Sequence, residues 1–155
     1  MNRKFGSRRG SVMVEFALSA TLLVSAFTGV FEFGYSLYMY NELVSAVRTG
    51  LRYASVAKIS KNATDTTLPS AYVTAVQNMV VYGAATGGTQ PAVRNLTTGQ
   101  VSVTGTFDSQ NVPTYVNVSI SSYTVDTFFK SFTFTGKPNL KMPFMGEYCA
   151  GGASC

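Results

Sequence analysis

From Val12 to Tyr40 the chain is almost continuously apolar, broken only by Glu15, Glu32 and small polar residues. A run of this kind constrains the fold more than any other feature, because lipid leaves a backbone few options other than a helix. The charge-free stretch Phe16–Phe31 alone would cover about 24 Å at 1.5 Å per residue, short for a crossing. Continued through Tyr40 it reaches about 37 Å, enough to cross a bilayer with tilt. With the membrane starting near Ser11, it ends about 20 residues later. Glu32 then lies near the far interface, and Tyr35, Tyr38 and Tyr40 follow as an interfacial aromatic belt. Nothing in Asn41–Ala57 stops the helix there. Leu43, Ala46, Val47, Gly50 and Ala54 recur at helical spacing, so one helix is expected over 11–57, with a transmembrane span over about 12–40.

Charge orients this helix. The formal net charge is +5, yet Arg3, Lys4, Arg8 and Arg9 all precede the first acidic residue. Without residues 1–10 the balance is eight basic against seven acidic residues, or +1. The basicity is a positive-inside signal rather than a nucleic-acid footprint, which needs Lys and Arg clustered on a folded surface. It places the N-terminus in the cytoplasm and the rest of the chain outside it. The sequence has no His, which removes the commonest general base and the commonest metal ligand. No catalytic, cofactor or metal site is expected, no small-molecule substrate is evident, and the chain does not read as an enzyme. Only 12% of residues are charged, so Ser, Thr, Asn and Gly must supply much of the surface.

Residues 58–155 are expected to form an α+β domain outside the cytoplasm. Lys58–Thr67 is polar and reads as a loop. A second helix is expected over Pro69–Tyr82, with Thr67 as cap, Gly83 as stop, and Tyr72, Val76, Met79 and Val80 on its buried face. The period then changes to two. Val101 and Val103 alternate with polar neighbours, as do Val116, Val118 and Ile120, and the turn-like Ser109–Pro113 between them makes an antiparallel hairpin. Pro138, Leu140, Met142 and Phe144 alternate again, and Pro143 argues for an edge strand. Val125–Phe134 fits a short helix or a strand, and Gly146–Cys155 is a small-residue tail. Cys149 and Cys155 fit a disulfide in an oxidising compartment better than a zinc half-site or two free thiols.

One segment carries the functional signal: Arg8-Arg9-Gly10-Ser11-Val12-Met13-Val14-Glu15-Phe16. A carboxylate at the mouth of an apolar helix is costly, about 2.5–3.5 kcal/mol at a bilayer centre and less near the interface. The segment resembles the processing site of type IV pilin-like precursors. There a prepilin peptidase cuts after Gly, and Glu is the fifth mature residue. Gly10 would then end a basic leader (residues 1–10), Ser11 would be the new N-terminus, and Glu15 and Phe16 would serve assembly. The blocks Val14-Glu15-Phe16-Ala17-Leu18, Phe31-Glu32-Phe33-Gly34 and Ala46-Val47-Arg48-Thr49-Gly50-Leu51-Arg52-Tyr53-Ala54 resemble the TadE-like minor pilins, or pseudopilins, of tight-adherence (Tad) pilus systems. That family often places a Pro within the membrane helix, where this chain has Thr21, so no kink is expected at that point.

The resemblance implies a long N-terminal helix followed by a short helix and a small antiparallel sheet. It implies a single-pass bacterial inner-membrane protein that takes part in assembling an adhesion pilus and enters an extracellular filament. Its partners would be the inner membrane, the prepilin peptidase, other pilin or pseudopilin subunits and the pilus assembly machinery. Ala17, Thr21, Ser25 and Gly29 fall every four residues and make a stripe that permits close helix approach. Small residues are also common in membrane helices, and spacing alone does not choose. Two alternatives accompany this reading. One is an inner-membrane adaptor or scaffold that never enters a filament. The other is a secreted domain with a conventional signal peptide cut near Val24-Ser25-Ala26, which would leave Glu15 in its apolar core and expose Phe27–Tyr40 as the new N-terminus.

Overall fold

One helix, α1, runs unbroken from Arg8 to Val56, about 74 Å of continuous backbone. The computed structural model describes residues 8–62, 65–127 and 130–150. After α1 come β1 (Ile59–Lys61), α2 (Ser70–Tyr82), a short 3-10 turn (Thr98–Gln100), β2 (Val101–Phe107) and β3 (Pro113–Ile120). The chain continues through β4 (Ser122–Asp126), β5 (Ser131–Thr135), β6 (Asn139–Pro143) and β7 (Tyr148–Ala150). The architecture is α+β, as the residue pattern indicates.

The two halves of α1 live in different surroundings. Its most apolar stretch is not buried against anything in the protein. Phe16 is 70% exposed, Leu22 75% and Phe31 74%. From Met39 onward the same helix becomes the spine of the core, with Leu43, Val47, Leu51 and Ala54 at or near zero exposure. Spacings of four, four and three residues keep these on one face. Each large one contributes roughly 1.5–3 kcal/mol by leaving water.

Against this face pack α2 and the inner surface of a three-stranded sheet ordered β2-β3-β6. The expected hairpin is present, with Val101 opposite Ile120 and Val103 opposite Val118. Val116, Val118 and Ile120 point into the core and are fully buried. β6 is an edge strand, with Pro143 paired with Tyr115 at its end. The ambiguous Val125–Phe134 region resolves into strands: β4 and β5 form a separate antiparallel pair with Val125 opposite Phe132 and Tyr123 opposite Phe134. Tyr123 and Val125 of β4 are buried.

Three details differ from expectation. Pro69, not Thr67, occupies the N-cap position of α2, and no side chain caps it. Val81 takes the place of Met79 on the fully buried face of α2. Most consequential, the polar segment after α1 and the C-terminal tail are not loop and tail: β1 and β7 pair in parallel, Ile59 with Tyr148 and Lys61 with Ala150. The joint is reinforced by Met145 N–H donating to Ser55 O at 2.8 Å and Ile59 N–H donating to Glu147 O at 2.9 Å. Lys58 and Glu147 form an exposed ion pair at 2.7 Å. Lys61 is buried beside it, its ammonium 3.9 Å from the centre of the Phe107 ring and donating to Asp65 O.

Tyr72 ties the two helices together, donating its hydroxyl to Ala54 O at 2.5 Å. Burial first, and the Tyr53 phenol second, hold its phenol well above the ordinary value. The neutral form is therefore the one the fold favours. The resulting stabilisation is complete below a phenol's ordinary pKa, near 10, and is lost as pH rises above it. In an alkaline titration of the full-length protein in detergent, loss of near-ultraviolet ellipticity is expected to begin above about pH 10. Tyr72→Phe should move that onset upward while costing about 0.5–1.5 kcal/mol at neutral pH through the lost hydrogen bond. An unchanged onset would remove Tyr72 from the alkaline transition.

Candidate membrane and assembly segment

The segment expected to carry function lies in the first turns of α1. Gly10 and Ser11 are helical, the third and fourth residues of α1 after Arg8 and Arg9 open it. A Cβ added at Gly10 would meet no atom within 4 Å. Neither packing nor backbone conformation asks for glycine there. Gly50 on the same helix is the contrast: a Cβ there would overlap Val80 Cγ2 of α2, so glycine sets how closely the helices approach. The glycine at position 10 therefore has no structural cause within the described residues.

Glu15 follows Ser11 by one helical turn and lies on the same face, a rise of about 6 Å. It is exposed, as are Phe16 and the apolar side chains around it. No cation is paired with Glu15 among the described residues. A carboxylate displayed on an otherwise apolar sleeve does nothing for the fold of this chain.

The stripe of small residues is present as a surface feature. Ala17, Thr21, Ser25 and Gly29 are all exposed. Thr21 Oγ1 donates to Ala17 O at 2.8 Å and Ser25 Oγ to Thr21 O at 2.8 Å. Each hydroxyl is thus satisfied by its own helix, which makes the stripe compatible with lipid and leaves it smooth for a neighbouring helix. Gly29, like Gly10, has open space where a side chain would be.

Of the three expected belt tyrosines, only Tyr38 is well exposed, at 58%. Tyr35 packs against the core, lining a small cleft with Arg94 and Tyr123, and Tyr40 lies 5.5 Å from the Phe134 ring. The domain therefore begins to wrap α1 at Tyr35, a feature that no periodicity in the sequence announces. Cys149 lies in β7 opposite Ser60. Cys155 falls outside the described residues, and the leader residues 1–7 do as well. Among the described residues no group of Cys, Asp and Glu is arranged to hold a metal ion.

Residues 10–52 match the family model of TadE-like proteins. Over these residues the N-terminal helix is similar to that family. The match opens on Gly10 and closes on Arg52, so it spans both the exposed sleeve and the part of α1 that packs on α2. Two of the three blocks of residues that carry the resemblance fall within the matched residues, and the third, Ala46 to Ala54, straddles their end. No curated protein and no solved structure gave a match. The strand-rich domain beyond the TadE-like helix is thus described by its own geometry alone. The family match and the unburied apolar stretch fall on the same helix, which is long and apolar enough to cross a membrane.

Proposed function

We propose that this chain is a minor pilin-like subunit required to assemble a Tad-type adhesion pilus, cut after Gly10 by a prepilin peptidase. The observation that carries the reading is the start of the TadE-like match at a glycine that packs against nothing among the described residues, near an exposed Glu15 with no ion-pair partner among them. Residues without a function in the fold of one chain are the ones a processing enzyme or a neighbouring subunit can use. Cleavage after Ala26 would divide the TadE-like helix, which speaks against a conventional signal peptide.

Cutting after Gly10 would create an ammonium at Ser11 and remove four cationic side chains. Glu15 would then attract the Ser11 ammonium of a neighbouring subunit as it joins the assembly. Two opposite charges in a poorly solvated setting attract more strongly than in water, although desolvation offsets much of the gain. Glu15 would contribute to recruitment and register more than to stability. The domain would lie in the periplasm before assembly, with Cys149 and Cys155 joined in a disulfide that secures the end of the chain beyond β7.

The test is direct. N-terminal sequencing of the membrane-extracted protein should begin at Ser11, and the protein should be recovered in sheared pili. Recovery only in an inner-membrane complex would assign it to the assembly apparatus instead. Glu15→Gln should leave processing intact yet reduce incorporation about tenfold or more, as expected for a charge-assisted contact of about 1.5–3 kcal/mol. Unaltered pilus formation by Glu15→Gln would end the charge-pairing role.

A further inference from the structure

The β4–β5 hairpin lies beside the outer end of the apolar sleeve, and its position has a consequence for how the domain sits. Asp126, the last residue of β4, and Thr127 line a cleft of about 380 Å³ together with Phe31, Glu32 and Tyr35 of α1. The Asp126–Thr127 end of β4 is thus level with Phe31–Tyr35. From Ser11 to Phe31 the helix rises about 30 Å, the thickness of a hydrocarbon core. Tyr35 is about 6 Å further on, within the headgroup layer.

The chemistry of this end suits that layer. Phe132 of β5 is 39% exposed although it faces the same side as buried Val125. The Lys130 ammonium lies 6.0 Å from the Phe132 ring centre. An exposed aromatic with a long amphipathic cation beside it is the combination that settles at a membrane interface. Large apolar residues of α1 also stay exposed up to and past this height, among them Phe31, Phe33, Leu37 and Tyr38. Asp126 and Glu32 face the same cleft, so the surface is not a basic patch and its attraction to lipid is not chiefly ionic.

Resting on the reading of α1 as a membrane span, we propose that the end of the β4–β5 pair that carries Thr127, Lys130 and Phe132 is a second membrane contact, seated in the headgroup layer of the bilayer. Two contacts, the span and the hairpin, fix the tilt and rotation of the domain on the membrane surface. A single helix alone would leave the domain free to swivel.

The sequence contains no Trp, so single substitutions place a unique fluorophore. Full-length protein would be reconstituted in phosphatidylcholine–phosphatidylglycerol vesicles carrying either a headgroup nitroxide or brominated acyl chains. Phe132→Trp and Lys130→Trp, both at exposed positions, should lose a large share of their emission to the headgroup nitroxide. Leu22→Trp should be quenched by the brominated chains. Val56→Trp, about 38 Å beyond Phe31 along α1, should be quenched by neither. Quenching of Phe132→Trp should persist in high salt, since ionic attraction is screened there and apolar contact is not. Unquenched Phe132→Trp and Lys130→Trp beside a quenched Leu22→Trp would overturn the hairpin contact and leave the span standing. Loss of quenching at Leu22→Trp would overturn the span, and the hairpin contact with it. Quenching abolished by salt would overturn the interfacial basis.

Discussion

Replacing Gly10 by valine is expected to leave the fold intact and the leader attached. A side chain at this position meets open space, so no packing is disturbed. Valine also has a higher helix propensity than glycine, so α1 loses nothing at its start. Any change in stability should stay within about 0.5 kcal/mol, the range of ordinary surface substitutions. Processing is another matter. If a peptidase reads the backbone at this junction closely, a branched side chain blocks its approach, and the mature N-terminus at Ser11 disappears. Two readouts agree on the outcome. N-terminal sequencing should find the uncut leader, and the isoelectric point should stay high, because Arg3, Lys4, Arg8 and Arg9 remain. A Gly10→Val protein that still begins at Ser11 would show that the glycine is not what the peptidase reads.

The opposite result is expected at Gly50, on the same helix. A Cβ there overlaps Val80 Cγ2 and comes within 3.3 Å of the Val80 backbone nitrogen. Val80 is itself only 1% exposed, so it has little room to yield. Gly50→Leu must push α2 away from α1 or force both into strained rotamers. Overpacking of this kind costs about 1–3 kcal/mol, occasionally more. For a domain of this size each kcal/mol lowers Tm by about 4–8 °C. Thermal unfolding of the full-length protein in detergent checks the value. Gly29→Leu is the matched control, the same change where nothing lies within 4 Å. It should leave Tm unchanged and act, if at all, on association between helices. Equal effects of the two substitutions would contradict the close approach of α1 and α2 at Gly50.

Much of the molecule is legible in single runs of residues. The apolar stretch from Val12 and the heptad-like recurrence of Leu43, Val47 and Ala54 are local patterns, and they mark α1. Alternating valines mark β2 and β3 with the observed pairing, because a hydrophobic period of two and a turn residue set together determine register. Gly83, with φ of 72°, ends α2 where expected, since a left-handed residue there is cheap only for glycine. The segment Gly10–Phe16 is legible for a different reason: its residues answer to no demand of the fold, and so their pattern is free to carry function.

Other features have no local signature. β1 and β7 are three residues each and lie far apart in sequence, and their pairing depends on Met145 and Glu147 reaching back to the end of α1. A segment that short has no period to read. The covering of Tyr35 and Tyr40 by the β4–β5 pair is likewise a matter of how the hairpin folds back, not of the tyrosines themselves. By itself, then, the sequence determined that the chain carries one long apolar helix, a cluster of basic residues ahead of it and a strand-rich domain, because each is written in neighbouring residues. Only the tertiary structure decided where the exposed sleeve ends and the core begins, which glycine is structural and which is not, and how the last strand returns to the first. Those depend on contacts between distant segments, and the same residue types serve either outcome until the chain has closed on itself.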